Sequence, residues 1–118
     1  VNLESSVGLV GSVPVIALRG PIDLATLPTL RAQVMRALDR YPGQRVLLDL
    51  DEVPSLDDAG LGIILALGAA ARQRQGELAL VCSNDKLRNR LTAMRLDRAL
   101  DVAASITAAT NRSSSAER

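Results

Sequence analysis

Two short, mainly apolar runs, Arg45 to Leu50 and Glu77 to Cys82, bracket a stretch from about Ala59 to Gln75. That stretch carries no charge between Leu61 and Ala71. The flanking runs have strand length. Val46-Leu47-Leu48 shows little alternation, as a central strand covered on both faces should. The middle stretch is too long for a strand, and Gly76 supplies a helix stop behind it. Strand, helix and strand in this order constrain the fold to an α/β layer with right-handed crossovers.

The rest of the chain extends the same alternation. Val7 to Val10 reads as a short first strand and Gly11-Ser12 as a turn. Val13 to Arg19, rich in β-branched residues, reads as a second strand that Gly20-Pro21 stops. Thr26 is placed to cap a helix, with Pro28 tolerated in its first turn. Leu27, Leu30, Val34 and Leu38 then recur at helical spacing until Pro42-Gly43. Residues 51–58 read as a polar loop. Asn84 or Asp85 caps a third helix with Leu87, Leu91 and Met94 on one face. Ala99 to Val102 reads as a short last strand, and Ser105 caps a final helix ending near Thr110. The expectation is one domain over residues 1–110, with a mixed sheet of four to five strands flanked by four helices. Residues 111–118 are expected to form a disordered polar tail.

Composition narrows the function. Net charge is +1, with no Phe, no Trp and one Tyr, so neither a basic footprint nor a stacking platform for nucleic acid is present. There is no histidine, which removes the usual zinc sites and the Ser-His and Cys-His pairs. No metal or other cofactor is expected, and a binding module is favoured over an enzyme. The lone Cys82 cannot form an internal disulfide and suits a reducing, cytoplasmic setting. No apolar run is long enough to span a bilayer, so direct membrane insertion is not expected.

Three features remain for function. First, the charge-free helix is either deeply buried or offers an apolar patch to a partner. Second, Asp57 and Asp58 sit where that helix starts and can accept from its free N–H groups. Gly60 and Gly62 follow at a helix-propensity cost of about 1 kcal/mol each, which close packing or close approach by a partner would offset. Third, Asp49 and Asp51 end the central strand, where a carboxylate pair could hold Mg²⁺ or accept a phosphoryl group, although their spacing is not specific. Cys82 reads as a buried, inert thiol.

Gly20-Pro21-Ile22-Asp23 after the second strand, the strand Val46 to Leu50, and Asp57-Asp58-Ala59-Gly60-Leu61-Gly62 at the second helix resemble, in order and spacing, the STAS domain family. That family includes bacterial anti-sigma factor antagonists and the cytoplasmic domains of sulfate transporters, and the resemblance runs from about Val7 to Ala109. It implies a STAS-like fold and a partner-binding role. A free-standing member binds a kinase-like anti-sigma factor and so releases a sigma factor, which it affects only indirectly. The surface it implies here combines Ile22, Asp23 and Leu24 with Asp57, Asp58, Ala59, Gly60, Leu61 and Gly62. The family's phosphoacceptor serine falls at Asp58, and the next Ser/Thr position is Ala59, so a serine kinase has no substrate at either. The resemblance also fits a STAS subunit of a lipid-transport ABC complex or a stress-sensing assembly. A Mg²⁺-dependent phosphotransfer domain using Asp49 or Asp51 is the enzymatic alternative. A homodimer is also compatible with the sequence.

Overall fold

The computed structural model describes residues 2–116. Five strands form one sheet in the order β1-β2-β3-β4-β5. Strands β1 (Glu4–Val10) and β2 (Val13–Arg19) form an antiparallel hairpin closed by Val10 and Val13. Gly11 takes φ +63° in the two-residue turn between them, a conformation that a Cβ disfavours. Strands β3 (Arg45–Glu52), β4 (Glu77–Val81) and β5 (Val102–Ala103) run parallel to β2. Helices α1 (Leu27–Arg40), α2 (Asp58–Gln73), α3 (Asp85–Ala93), α4 (Leu96–Ala99) and α5 (Ile106–Ala116) make the connections and the C-terminal layer.

Two cores flank the sheet. Val46, Leu48 and Leu50 of β3 pack with Ile16, Leu18, Leu30, Val34, Ile64, Leu67 and Leu91, so α1 to α4 cover one face. Leu47 faces the other way, with Val15, Ala79, Val81 and Ala103, and Ala109 of α5 closes that smaller cluster. Burial on both faces explains the unbroken apolar reading of β3. At the amino end of β3, Arg45 pairs with Glu77 and Asp101, with only 9% of its side chain exposed, tying β3 to β4 and to the approach to β5.

Several boundaries differ from expectation. Strand β1 begins at Glu4 rather than Val7, because pairing with the full length of β2 outweighs its weak polar start. Ala99 closes the short helix α4, so the last strand shrinks to Val102 and Ala103. With α4 the helices number five among the described residues. Helix α5 runs to Ala116, past the Thr110 expected; the residues from Asn111 to Ala116 include no Pro or Gly to stop it. Residues 117 and 118 of the expected tail lie outside the described residues. Thr26 precedes α1 but does not cap it through its side chain. Gly76 does not take positive φ; Gln75 does (φ +63°), and Gly76 is required because a Cβ there would lie 2.5 Å from the Gln44 carbonyl oxygen.

Candidate functional site

The β2–α1 turn and the β3–α2 loop lie side by side at the carboxyl end of the strands. The Ile22 N–H donates to the Ser55 carbonyl at 3.0 Å, and the Asp57 N–H donates to the Ile22 carbonyl at 3.1 Å. This parallel bridge between Ile22 and Leu56 brings together the two segments that the sequence singled out separately.

Within the turn, Asp23 and Thr26 form a clasp. Asp23 Oδ1 accepts from the Ala25 N–H at 3.0 Å and the Thr26 N–H at 3.1 Å. The Thr26 hydroxyl accepts from the Asp23 N–H and donates to the Pro21 carbonyl, each at 3.0 Å. Thr26 has helical backbone angles (φ −99°, ψ −4°), so its hydroxyl reaches back into the turn instead of forward to the helix amides. The clasp holds Leu24 outward, 74% exposed.

At the start of α2, Asp57 is extended (φ −87°, ψ 175°) and its Oδ1 accepts from the Gly60 N–H at 2.8 Å. It is therefore the N-cap of its own helix. Asp58 points outward with 81% of its side chain exposed and accepts from Arg90 Nη2 of α3 at 2.7 Å. Ala59, Gly62, Leu65 and Ala66 are exposed beyond it, with Ile63 and Ala69 half-buried. Helical spacing puts Ala59, Gly62 and Ala66 on one stripe. The exposed side of α2 is thus uncharged from Ala59 to Ala69. The opposite side, with Leu61, Ile64, Leu67 and Ala71, is core.

Burial divides the expected contact residues. Ile22 is fully buried and Leu61 is 2% exposed, so neither side chain can meet a partner. Gly60 is buried too: a Cβ there would lie 2.6 Å from Ile22 Cγ2 and 2.7 Å from Leu56 Cδ1. That glycine lets the helix start sit directly on the Ile22–Leu56 bridge; it does not admit a partner. Gly62 has open space around it, as close approach from outside would require. Asp23, Leu24, Asp58 and Ala59 remain accessible in part or in full. Sequence reasoning missed Arg90 as the partner of Asp58. The two lie 32 positions apart, and only the packing of α3 against the sheet sets their approach.

The carboxylates of the central strand have structural uses. Asp49 Oδ1 accepts from the Asp51 N–H at 2.9 Å, and Asp51 Oδ1 accepts from the Ser83 N–H at 2.7 Å and its hydroxyl at 3.0 Å. Burial pushes the Asp49 carboxyl above its usual range. Among the described residues, no three His, Cys, Asp or Glu side chains converge as metal ligands. An open concavity of about 480 Å³ beside this strand end is lined by Arg19, Asp51, Glu52, Pro54 and Asn84, and its one cation among the described residues, Arg19, is held by Glu52 at 3.3 Å. Cys82 is fully buried, and burial raises its thiol pKa, as for an unreactive cysteine. No helix among the described residues is long and apolar enough to cross a membrane.

Residues 6–109 match the STAS domain family. The chain is 30% identical over 93 residues to an anti-sigma F factor antagonist of Paenibacillus polymyxa, an alignment covering 79% of each protein. It is 37% identical over 75 residues to an anti-sigma-B factor antagonist of Listeria monocytogenes, covering 61% of this chain and 62% of that one. The crystal structure of an anti-sigma factor antagonist from Mycobacterium paratuberculosis shares the fold, with a TM-score of 0.83 at 22% identity over 94% of this chain and 93% of that one.

Proposed function

The chain belongs to the STAS domain family, and from that premise we propose that it is an anti-sigma factor antagonist. It binds a kinase-like anti-sigma factor in the cytoplasm and thereby frees a sigma factor without touching it. The observation that carries this is the surface formed where the Ile22–Leu56 bridge joins the β2–α1 turn to the start of α2. Leu24, Asp58, Ala59, Gly62, Leu65 and Ala66 are exposed there. An uncharged stripe bordered by one exposed leucine and one carboxylate has the composition of a docking face, apolar at its centre and polar at its edge. Asp23 and Asp57 shape this face from within, through the clasp and the cap.

The position of the family's phosphoacceptor is Asp58, so phosphorylation by a serine kinase is not the control here. A phosphoserine would bring about −1.5 to −2 charge and three acceptor oxygens to the helix start. Asp58 brings one carboxylate, and Arg90 already shares its charge at 2.7 Å. The helix start therefore keeps a much weaker negative field than a phosphorylated one. We assign the chain to the constitutively binding class, regulated by its abundance or by events at other sites.

The test is titration calorimetry with the purified anti-sigma factors of the same cell. The wild-type chain should bind one of them, and Leu24→Asp should lose at least tenfold in affinity while keeping its circular dichroism spectrum. Failure of every anti-sigma factor to bind, or an unchanged affinity in Leu24→Asp, would reject this assignment.

A further inference from the structure

Strand β1 is the edge of the sheet, with β2 on one side and no strand on the other among the described residues. It is the one strand with no fully buried residue, and Val7, Leu9 and Val10 are 44%, 56% and 44% exposed. Edge strands that stay single are usually protected by lysine, proline, a bulge or a short length. This one runs seven residues in unbroken register with β2 and carries only Glu4 as a charge.

The register fixes which backbone groups face outward. The pair that closes a two-residue hairpin is hydrogen-bonded, and pairs then alternate along an antiparallel ladder. Val10, Gly8, Ser6 and Glu4 therefore bond to β2. The N–H and C=O groups of Ser5, Val7 and Leu9 point away from the sheet. That outward set is symmetric about Val7.

We propose that β1 pairs antiparallel with β1 of a second copy of this chain, about a two-fold axis at Val7, making one continuous ten-stranded sheet. Val7 faces Val7 of the second copy, and Ser5 faces Leu9. In this register all the outward donors and acceptors of Ser5, Val7 and Leu9 are satisfied reciprocally. Ser6 falls opposite Gly8 in the closer-spaced type of pair, where the missing side chain leaves room. Glu4 falls opposite Val10, so no like charges meet. A second copy is the occupant these features fit: one sequence supplies both halves, the lone charge Glu4 meets Val10 rather than its own copy, and Gly8 sits at the closer-spaced pair. The edge shares no residue with the docking face above, so the dimer neither needs nor blocks that face, and either can fail alone.

Sedimentation velocity of the 118-residue chain over a concentration series reaching millimolar tests the mass. Wild type should double its mass with concentration. Val7→Lys, exposed and at the dyad, should stay monomeric with unchanged circular dichroism and melting temperature. Amide exchange by NMR tests the edge itself in the unaltered protein. The Ser5, Val7 and Leu9 amides should slow with concentration, while those of Ser6 and Gly8, already bonded to β2, should not change. A monomer throughout, a dimer indifferent to Val7→Lys, or a dimer in which those three amides remain fast would each overturn the proposal. The last would show that another surface, or another segment, holds the copies together.

Discussion

Two glycines in α2 that look alike in the sequence have opposite environments. Gly60 is packed against Ile22 and Leu56, whereas Gly62 stands in open space. Gly60→Ala should destabilise the fold by about 1–3 kcal/mol, because the branched Ile22 methyl cannot simply rotate away. Gly62→Ala should stabilise the free chain by up to about 1 kcal/mol through helix propensity. Urea denaturation of the two variants measures both, and equal effects would contradict the packing described. If the docking face is as proposed, Gly62→Ala should also weaken partner binding while raising stability. Asp49 gives a pH-dependent case. Its carboxyl is pushed above the ordinary value chiefly by burial, so the folded state holds the proton more tightly than the unfolded state does. Ionisation therefore subtracts stability as pH rises through the raised value, and the loss persists at neutral pH. Asp49→Asn keeps an acceptor for the Asp51 N–H and should melt higher than wild type at pH 7. The difference should close as pH falls toward about 4, near the ordinary aspartate value. At this scale the sequence identified the residue types but not their surroundings. Ile22 and Leu61 sit in the motifs proposed to meet a partner, yet their own side chains are core. Only three-dimensional packing separates such residues from Leu24 and Ala59.

Among the elements, β2, β3, α1 and α2 were legible because each carries a strong local pattern: β-branched runs for the strands, helical spacing for α1, an unbroken apolar stretch with an acidic start for α2. Asp57 fills the N-cap role its position suggested, and Asn84 and Ser105 do the same for α3 and α5. Asp57→Ala should therefore cost about 1 kcal/mol in thermal or chemical denaturation. Arg90→Ala should cost less, since a surface ion pair contributes under about 1 kcal/mol. An Asp57→Ala cost no larger than that of Arg90→Ala would show that the cap does not anchor the helix start. Elements with weak local signals are the ones whose bounds depart from the sequence expectation. The start of β1 is polar and forms because β2 offers a full-length partner. Ala99 has helix propensity that a four-residue helix can use, while the last strand needs only Val102 and Ala103. Gly76 reads as a helix stop in the sequence, but the reason a glycine is needed there, a close approach to Gln44, is tertiary.

For the whole molecule, the strand–helix alternation and the spacing of three short motifs were enough to place the chain in the STAS family, and the sheet order and the two flanking cores agree with that. The pairing of the β2–α1 turn with the β3–α2 loop through Ile22 and Leu56 was not readable, because it joins segments more than thirty positions apart. Yet that pairing turns two motifs into one face. The proposed partner docks on this face, across Leu24 and the exposed stripe of α2. Amide chemical-shift mapping of the isotope-labelled chain, titrated with the anti-sigma factor proposed as its partner, tests this most directly. The largest changes should fall on Leu24, Asp58, Ala59, Gly62 and Ala66, with α5 and β1 unmoved. Changes centred on α5 or β1 instead, with the start of α2 silent, would contradict it.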